Sequence, residues 1–266
     1  MAFNENKIGR VCFMTASTIS ARHAFTTRYG GVSEGIYASM NLGTSRGDSE
    51  AAVRENYRLL GEATGIDTSR MAFTRQVHGT EVRIATAADV HELYTEVPYE
   101  ADGIVTDIPG LALICFTADC VPVLLHDPKN SVIAAVHCGW RSSVGDILAK
   151  TLKAMEALGA EREHICAAIG PAISGCCFQV GGEVVEAARE YLGGDIEGLW
   201  RADPSAEGKF LLDLKGCNAR RLSQLGLKEE NIAVSPECTM CSHEKYWSHR
   251  HTKGQRGSQG ALIVID

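Results

Sequence analysis

The chain has 266 residues, of which 45% are hydrophobic and 22% are charged, with a formal net charge of -7. Such a chain can bury a sizeable core, and its acidic balance without any run of Lys or Arg argues against a nucleic-acid partner. No apolar stretch reaches the roughly 18 to 20 residues of a membrane span, and the start, MAFNENKIGR, lacks the apolar segment of a signal peptide. We therefore expect a soluble, cytoplasmic protein with mostly free thiols that binds a small molecule and no membrane.

The first third of the chain alternates between strand and helix patterns. Residues 21–27 and 71–77 have the composition of strands. Between them, residues 50–63 carry apolar side chains at helical spacing, behind a predicted cap at Asp48 and Ser49.

Four short apolar runs follow one another closely in the middle of the chain. They are separated by turn dipeptides such as Pro109-Gly110. Their bounds are 103–106, 111–116, 121–126 and 132–136. Close strands with tight turns favour antiparallel pairing, so we predict that these runs pair in a central sheet.

The last of these runs leads into the clearest helix pattern of the chain. Apolar side chains form one continuous stripe from Val144 to Leu158, and Gly159 ends it. Further strands are predicted at 164–169, 232–235 and 261–265, and further helices at 183–191 and 214–225. The pattern predicts an α+β or mixed α/β fold built in layers, and we treat residues 1–266 as a single domain.

Three segments, RQVHG, FTADCVP and AVHCGW, each end a predicted strand and contain His78, Cys120 and His137. A single buried Cys or His is more often a core residue than a ligand. Together the three offer nitrogen and sulfur ligands suited to zinc, and three protein ligands with the fourth position open are typical of a catalytic zinc. Strand ends let polar side chains converge while the sheet holds their backbones, so we predict a metal site there.

Longer segments around these residues resemble a known family. They read TTRYGGVSEGIYASMNLG, RQVHGTEV, ADGIVTDIPGLALICFTADCVPVLL, AVHCGWR, IGPAISGCCFQVG and, later, CTMC followed by YWSHRHTKGQRGSQGALIVI. In this order, across essentially the whole chain, they resemble the laccase-domain or multicopper polyphenol oxidoreductase family. The resemblance implies a four-layer α/β/β/α fold, in which two mixed sheets are sandwiched between helices, over residues 1–266.

The resemblance also implies a function. Members of the family are understood as zinc-dependent purine nucleoside enzymes that combine purine nucleoside phosphorylase, methylthioadenosine phosphorylase and adenosine deaminase activities. Their His, Cys, His metal triad falls on His78, Cys120 and His137 in this sequence. The partners implied for this chain are therefore a purine nucleoside and phosphate.

Further site residues follow from the chemistry of these reactions. A zinc ion on the triad would lower the pKa of a bound water to about 7, which suits hydrolytic deamination. Asp119, next to Cys120, is a candidate acid or base or a partner of the metal ligand, and capping of the turn is an equally good interpretation.

Phosphorolysis needs a group that holds phosphate. The best candidates are Arg28, beside two glycines, and Arg141, near the start of the predicted helix. We favour Arg141 because it follows the end of a strand and lies close to the positive end of the helix dipole. Asn41 and Gln76 are weaker candidates for ribose or base contacts, and stabilisation of a turn is the simpler interpretation of both.

Two other cysteine-containing segments are harder to interpret. Cys238-x-x-Cys241-x-His243 has the spacing of a second metal site. The family resemblance does not support a metal there, so we expect a thiol pair packed under a loop. Cys176 and Cys177 are expected in a loop, without an assigned role.

Two alternative classes of function stay open. The first is a copper-dependent polyphenol oxidase, a laccase, although a multicopper design needs several His-x-His pairs and the sequence contains one, at 249–251. The second is a metal-free cysteine hydrolase in which His78 or His137 activates Cys120 as a thiolate nucleophile.

Overall fold

The computed structural model describes residues 3–266, which form fifteen β-strands and six α-helices. The strands are β1 (Phe3–Ile8), β2 (Val11–Ala16), β3 (Arg22–Thr26), β4 (Met71–Ala72), β5 (Val82–Ile84), β6 (Gly103–Thr106), β7 (Ala112–Thr117), β8 (Val121–Asp127), β9 (Val132–Cys138), β10 (Cys166–Ile169), β11 (Gln179–Gly181), β12 (Trp200–Ala202), β13 (Lys209–Leu212), β14 (Ile232–Val234) and β15 (Gln259–Val264). The helices are α1 (Glu50–Thr64), α2 (Trp140–Val144), α3 (Ile147–Ala157), α4 (Gly182–Tyr191), α5 (Leu214–Gln224) and α6 (His249–Thr252).

Most strands belong to two six-stranded mixed sheets. The first sheet has the order β1-β2-β3-β15-β7-β4, and the second has the order β14-β10-β8-β9-β6-β5. The strands β11, β13 and β12 form a small third sheet. In the first sheet the edge pair β4 and β7 is parallel, and in the second sheet both edge pairs are parallel, β14 with β10 and β5 with β6. The central ladders of both sheets are antiparallel.

The two large sheets pack face to face and share a buried core. Phe25 and Leu113 of the first sheet lie in the same apolar cluster as Ile104 and Leu124 of the second. Helix α1 covers the outer face of the first sheet, and α3 and α5 cover the second. Burying each large apolar side chain in these layers contributes about 1.5 to 3 kcal/mol. The predicted mixed fold in four layers is confirmed.

Helix α1 begins and ends near the predicted residues. Ser49 is the N-cap residue, but it is the Asp48 carboxylate that accepts a hydrogen bond from the Ser49 N–H, at 2.8 Å. Gly65 ends the helix in a left-handed conformation with φ of 69°. The elements predicted later in the chain are confirmed as β10, β14, β15, α4 and α5. None of the helices within residues 3–266 combines the length and the apolar character needed to cross a lipid bilayer.

The prediction that the run 111–116 pairs with its three neighbours in sequence was wrong. Strand β7 lies in the first sheet between β15 and β4, whereas β6, β8 and β9 are neighbours in the second sheet. Every strand in question has both faces covered, so all four show the same continuous apolar pattern and the pattern cannot assign partners. The connection from β7 to β8 therefore crosses from one sheet to the other.

The prediction of one continuous helix from Val144 to Leu158 was also wrong. Helix α2 ends at Val144, and α3 begins at Ile147 after Asp146, which has a left-handed φ of 63°. The Arg221 guanidinium binds the Asp146 carboxylate, with 3.0 Å between Arg221 Nε and Asp146 Oδ1. Interactions with distant parts of the chain thus stabilise a break that the apolar spacing does not indicate.

The strand predicted at 71–77 is much shorter in the structure. Only Met71–Ala72 pairs with β7, and the chain then leaves the sheet, with Arg75 forming an isolated bridge to Glu100. This departure has a consequence for the chemistry, because it carries His78 toward the end of the second sheet.

Candidate active site

One end of the second sheet brings three polar residues together. Because β8 pairs antiparallel with β9, Cys120, which directly precedes β8, lies at the same end as His137. Gly103 of β6 pairs with Val136 of β9, so Asp102 lies beside His137, whose N–H donates to the Asp102 carbonyl oxygen at 2.7 Å. The register of three strands therefore sets the relative positions of these residues.

The loop after β4 adds His78 to the same place. Its φ of 60° is left-handed, which is unfavourable for a residue with a Cβ. The Asp102 carboxylate supports this conformation by accepting hydrogen bonds from the N–H groups of Val77 (3.1 Å), His78 (3.0 Å) and Gly79 (2.7 Å). Gly139 leaves room for the ring, since a Cβ there would lie 2.6 Å from His78 Nδ1.

His78, Cys120 and His137 meet as the sequence analysis expects, and we call them the triad. Their ligand atoms lie within 4.8 Å of one another, and the two imidazole planes are inclined by 74°. Zinc bonds of about 2.0 to 2.3 Å in a tetrahedron separate ligand atoms by roughly 3.3 to 3.6 Å. Small side-chain movements would therefore let the triad hold a zinc ion.

The environment of His137 resembles that of a metal-ligating histidine. Its Nδ1 lies 2.7 Å from Asp102 Oδ1, which orients the ring and leaves Nε2 for another partner. Burial opposes the charged imidazole, but the Cys120 sulfur and the Asp102 carboxylate outweigh it and raise the pKa of His137 to about 9. Burial alone would raise the pKa of Asp102, but hydrogen bonds with His137 and with backbone N–H groups outweigh burial and lower this pKa. Burial and the nearby His137 lower the pKa of His78.

Asp119 is buried and positions the C-terminal segment. Its carboxylate accepts hydrogen bonds from Thr239 Oγ1 (2.6 Å), Ser248 Oγ (3.1 Å) and the N–H of Arg250 (2.6 Å). Its backbone is left-handed, with φ of 84°. Both carboxylate oxygens of Asp119 accept hydrogen bonds from protein donors. These contacts agree with the interpretation of Asp119 as a residue that orders the turn at Cys120.

Two adjoining cavities meet at the triad. The larger, of about 640 Å³, is lined by all three triad residues and by aromatic rings such as Phe73 and Phe116. The smaller, of about 410 Å³, shares His78 and Cys120 with it. Both volumes lie within the range of about 300 to 1,000 Å³ of small-molecule sites.

Arg256 is an unusual member of the larger cavity wall. It is buried, its Nη1 donates to Gly257 O (2.9 Å) and Ser258 Oγ (3.1 Å), and its Nε has no partner. Burial and the charge of Arg46 lower the pKa of Arg256 to about 10. Within the part of the chain that the structure describes, it makes no ion pair, so the cavity offers a buried cation to an anionic ligand.

Two of the predicted substrate-binding residues lie at the cavities. Gln76 lines the larger one, and its amide exchanges hydrogen bonds with the backbone of Phe116 at 2.7 and 2.8 Å. Arg141 lines the smaller one, is exposed, and lies over the Trp140 ring at 4.3 Å. Gln76 thus also has the structural role that the sequence analysis considered.

The other two predicted residues lie away from both cavities. Arg28 donates to the carbonyl oxygen of Ala38 and lies over the Trp247 ring at 4.1 Å. Asn41 is fully buried, and its Oδ1 accepts from the N–H groups of Gly43 (2.9 Å) and Ser258 (2.8 Å). The side chains of Arg28 and Asn41 therefore stabilise the loops behind the site, and their polar atoms form hydrogen bonds within the protein.

Two residues that are central in the structure, Asp102 and Arg256, were not predicted from the sequence. Asp102 directly precedes the apolar strand β6, and Arg256 lies three residues before the apolar strand β15. A charged side chain that is buried without a partner is unfavourable, so a charge close to an apolar run was the signal in the sequence that could have identified these two residues. Their partners come from distant parts of the chain, so neither role follows from local sequence.

The fold and the site define a layered α/β protein with a His-Cys-His centre in the wall of a small-molecule cavity. The family described as multi-copper polyphenol oxidoreductase laccase matches residues 22–266. This chain therefore belongs to that family of laccase-like proteins.

Named relatives cover nearly the whole chain. Purine nucleoside phosphorylase of Deinococcus radiodurans is 38% identical over 252 residues, covering 95% of this chain and 92% of that protein. Purine nucleoside phosphorylase YlmD of Geobacillus stearothermophilus is 35% identical over 247 residues, covering 90% and 88%. The crystal structure of YlmD from Geobacillus stearothermophilus matches with a TM-score of 0.90 and 31% identity, covering 98% of both chains.

The one His-x-His pair does not form a further centre. The ring of His251 stacks on His243, with 3.6 Å between centroids, while His249 lines the larger cavity. Among residues 3–266, the triad is the only group of potential metal ligands that contains two histidines. A multicopper arrangement would require several more.

Proposed function

We propose that this chain is a zinc-dependent purine nucleoside phosphorylase that also deaminates adenosine. The observation that carries the proposal is the meeting of two imidazoles and a thiol on a cavity wall that also holds a buried arginine without an ion pair among residues 3–266. The names of relatives at 38% and 35% identity support the phosphorylase activity. The proposed substrates are adenosine, inosine, guanosine and methylthioadenosine.

In this proposal the triad holds zinc, and Asp102 keeps the His137 ring oriented through its Nδ1. Bound zinc supplies Lewis-acid chemistry and activates water near neutral pH. The thiol of Cys120 favours a soft or borderline metal over Mg²⁺ or Ca²⁺. Copper satisfies the same preference and is the alternative metal.

The larger cavity is the proposed nucleoside site. Phe73 and Phe116 meet edge to face at 6.0 Å between ring centroids, and with Phe178 they supply the apolar surface that a purine ring needs. A volume of about 640 Å³ accommodates a nucleoside together with phosphate.

Arg256, with the charge of Arg46 beside it, is the proposed phosphate-binding group. In phosphorolysis a phosphate oxygen bonds to the anomeric carbon of the ribose, the bond from that carbon to the purine nitrogen breaks, and the base leaves with a proton. The Arg256 side chain lines the larger cavity and, among residues 3–266, forms no ion pair, so its guanidinium is the proposed donor to the attacking anion. Arg141, exposed on the smaller cavity, is the second candidate.

Deamination places different demands on the site. Water replaces the exocyclic amino group of adenosine and ammonia leaves, so the reaction needs the triad but no phosphate. We therefore expect the two activities to share the triad and to differ in their dependence on the arginines.

The proposal is tested by assaying the four nucleosides on protein of known zinc content, with and without phosphate. We expect free base and ribose 1-phosphate only when phosphate is present, and ammonia from adenosine in either case. Chelation of zinc should abolish both reactions, and added zinc should restore them. Absence of turnover by fully zinc-loaded protein, or base release that ignores phosphate, would contradict the proposal.

Paired arginine variants test where phosphate binds. Arg256→Gln is expected to lower kcat/KM for phosphate by about 100-fold or more, because a buried charged donor to the anion is lost. Arg141→Ala should lower it by less than about 10-fold, since an exposed cation contributes less. Both variants should keep most of the deaminase activity.

The readouts are ribose 1-phosphate formation and ammonia release, measured in parallel. Arg256→Lys should recover only part of the phosphorolysis, because a point charge does not reproduce the planar guanidinium. A larger effect at Arg141 would move phosphate to the smaller cavity, as the sequence analysis favoured. An equal loss of both activities in Arg256→Gln would mean that Arg256 supports the fold.

One observation favours a second candidate function. His137 contacts both the Cys120 sulfur and the Asp102 carboxylate, which is the order of groups in a Cys-His-Asp hydrolase. Such an enzyme would use Cys120 as a nucleophile and would stay active without metal.

A further inference from the structure

Four cysteines from two distant segments meet outside the active site. Cys176 and Cys177 lie between β10 and β11, and Cys238 and Cys241 follow β14. Their four sulfur atoms lie within 4.8 Å of one another, and we call them the four-cysteine cluster. The local spacing Cys238-x-x-Cys241 indicates half of this cluster, and the fold supplies the other half in place of His243.

The distances within the four-cysteine cluster fit one metal ion. The Cys241 sulfur lies 3.6 Å from that of Cys176 and 3.4 Å from that of Cys177. Four sulfur ligands at about 2.3 Å from zinc lie about 3.8 Å apart along the edges of a tetrahedron. A disulfide would need sulfur atoms about 2.05 Å apart, so the observed spacing is closer to that of shared metal ligands.

A backbone group beside Cys238 favours the deprotonated sulfur that metals bind. The N–H of Ser174 donates to Cys238 Sγ at 3.4 Å. An N–H group that donates to a buried sulfur stabilises negative charge there. The surroundings of this one cysteine therefore suit a metal ligand.

A buried lysine lies on the inner side of the cluster. Lys215 is 3% exposed, and its Nζ donates to the carbonyl oxygens of Ser235 (2.6 Å) and Glu237 (2.9 Å). Burial lowers the pKa of Lys215, whereas Asp213 and the sulfur atoms of Cys238 and Cys176 act in the opposite direction. A zinc ion with four thiolates carries net negative charge, which this ammonium group would partly balance.

We propose that the four-cysteine cluster binds a structural zinc ion that is separate from the metal of the triad. Four protein sulfur ligands leave no position for substrate, which is the property of a structural site. The ion would join the segment between β10 and β11 to the segment after β14, two parts of the chain that are far apart in sequence.

The two joined segments form part of the active-site wall. Ile173 and Phe178, on either side of the first cysteine pair, line both cavities. Thr239, next to Cys238, donates to Asp119 at 2.6 Å, and Asp119 adjoins the triad residue Cys120. A zinc ion in the cluster would therefore hold the wall of the nucleoside site without touching the reacting atoms.

Metal content of purified variants tests this inference. We expect two zinc ions per wild-type chain by elemental analysis, and one in the double variant Cys177→Ala/Cys241→Ala. The double variant His78→Ala/His137→Ala should also retain one ion, although it loses activity. Cys166→Ser, which changes another partly exposed cysteine outside the cluster, should retain two. Unchanged zinc in the Cys177→Ala/Cys241→Ala protein would overturn the inference.

A measurement on the unmodified chain covers the case in which a cysteine variant fails to fold. Cobalt loaded into the metal-free wild-type protein should give the intense thiolate charge-transfer and tetrahedral absorption bands of a four-sulfur site. The same bands should persist in His78→Ala/His137→Ala, which separates this inference from the proposed function. Absence of these bands, or disulfides among the four cysteines in freshly purified protein, would refute it.

Discussion

Cys120→Ser should remove one zinc ion per chain and weaken the affinity of the triad for zinc by more than about 100-fold. Loss of a residue that merely supports a metal ligand already costs about 10 to 100-fold, and Cys120 is itself a proposed ligand. A hydroxyl is harder and far less acidic than a thiol, so it does not replace a thiolate at a zinc ion. Phosphorolysis and deamination should both fall with the metal.

The experiment measures zinc content and both activities in Cys120→Ser beside Cys166→Ser. The control changes a cysteine of similar burial on β10, away from the triad, so it accounts for any general effect of removing a thiol. Full zinc occupancy with no activity in Cys120→Ser would favour the covalent cysteine mechanism. Full activity with full zinc would exclude Cys120 from the chemistry altogether.

Asp102→Asn is expected to destabilise the folded chain by about 3 kcal/mol, because it leaves polar groups around a buried site without their charged partner. The carboxylate accepts hydrogen bonds from three consecutive backbone N–H groups and contacts His137 Nδ1. An amide has a single acceptor oxygen, and its NH₂ group would face some of these donors. The left-handed backbone at His78 then loses its support.

The same substitution should lower the zinc affinity of the triad by about 10 to 100-fold, since the ring of His137 is no longer oriented. Denaturant unfolding and competition with a chelator measure the two effects. Asp107→Asn is the matched control, because this exposed aspartate follows the same strand, β6, and should leave stability and zinc binding unchanged. Equal results for the two variants would show that Asp102 has no role in organising the site.

Much of the secondary structure could be predicted from local pattern alone. Helix α1 has one apolar face, so its extent follows from spacing and from Gly65 at its end. Strands β8 and β9 are entirely buried and appear as continuous apolar runs. The triad residues were predicted because each follows or precedes such a run and because their types share one chemistry.

Partner choice could not be predicted in the same way. Both faces of strand β7 are buried in the first sheet, and both would also be buried in the second sheet. Its sequence is therefore compatible with strand neighbours in either sheet. The break at Asp146 depends on Arg221, which is 75 residues away. The position of His78 depends on Asp102, which holds three N–H groups across 23 to 25 residues.

By itself the sequence determined which side chains have the chemistry of a metal site, because residue type and the ends of apolar runs are local properties. Only the tertiary structure decided which further residues join these side chains. Asp102 contacts the triad, Arg256 lines the cavity, and Cys176 and Cys177 lie beside Cys238 and Cys241. A buried charge or a metal cluster is stabilised by partners that surround it in space. Those partners come from segments whose separation along the chain carries no periodic pattern, so only the packing of the layers brings them together.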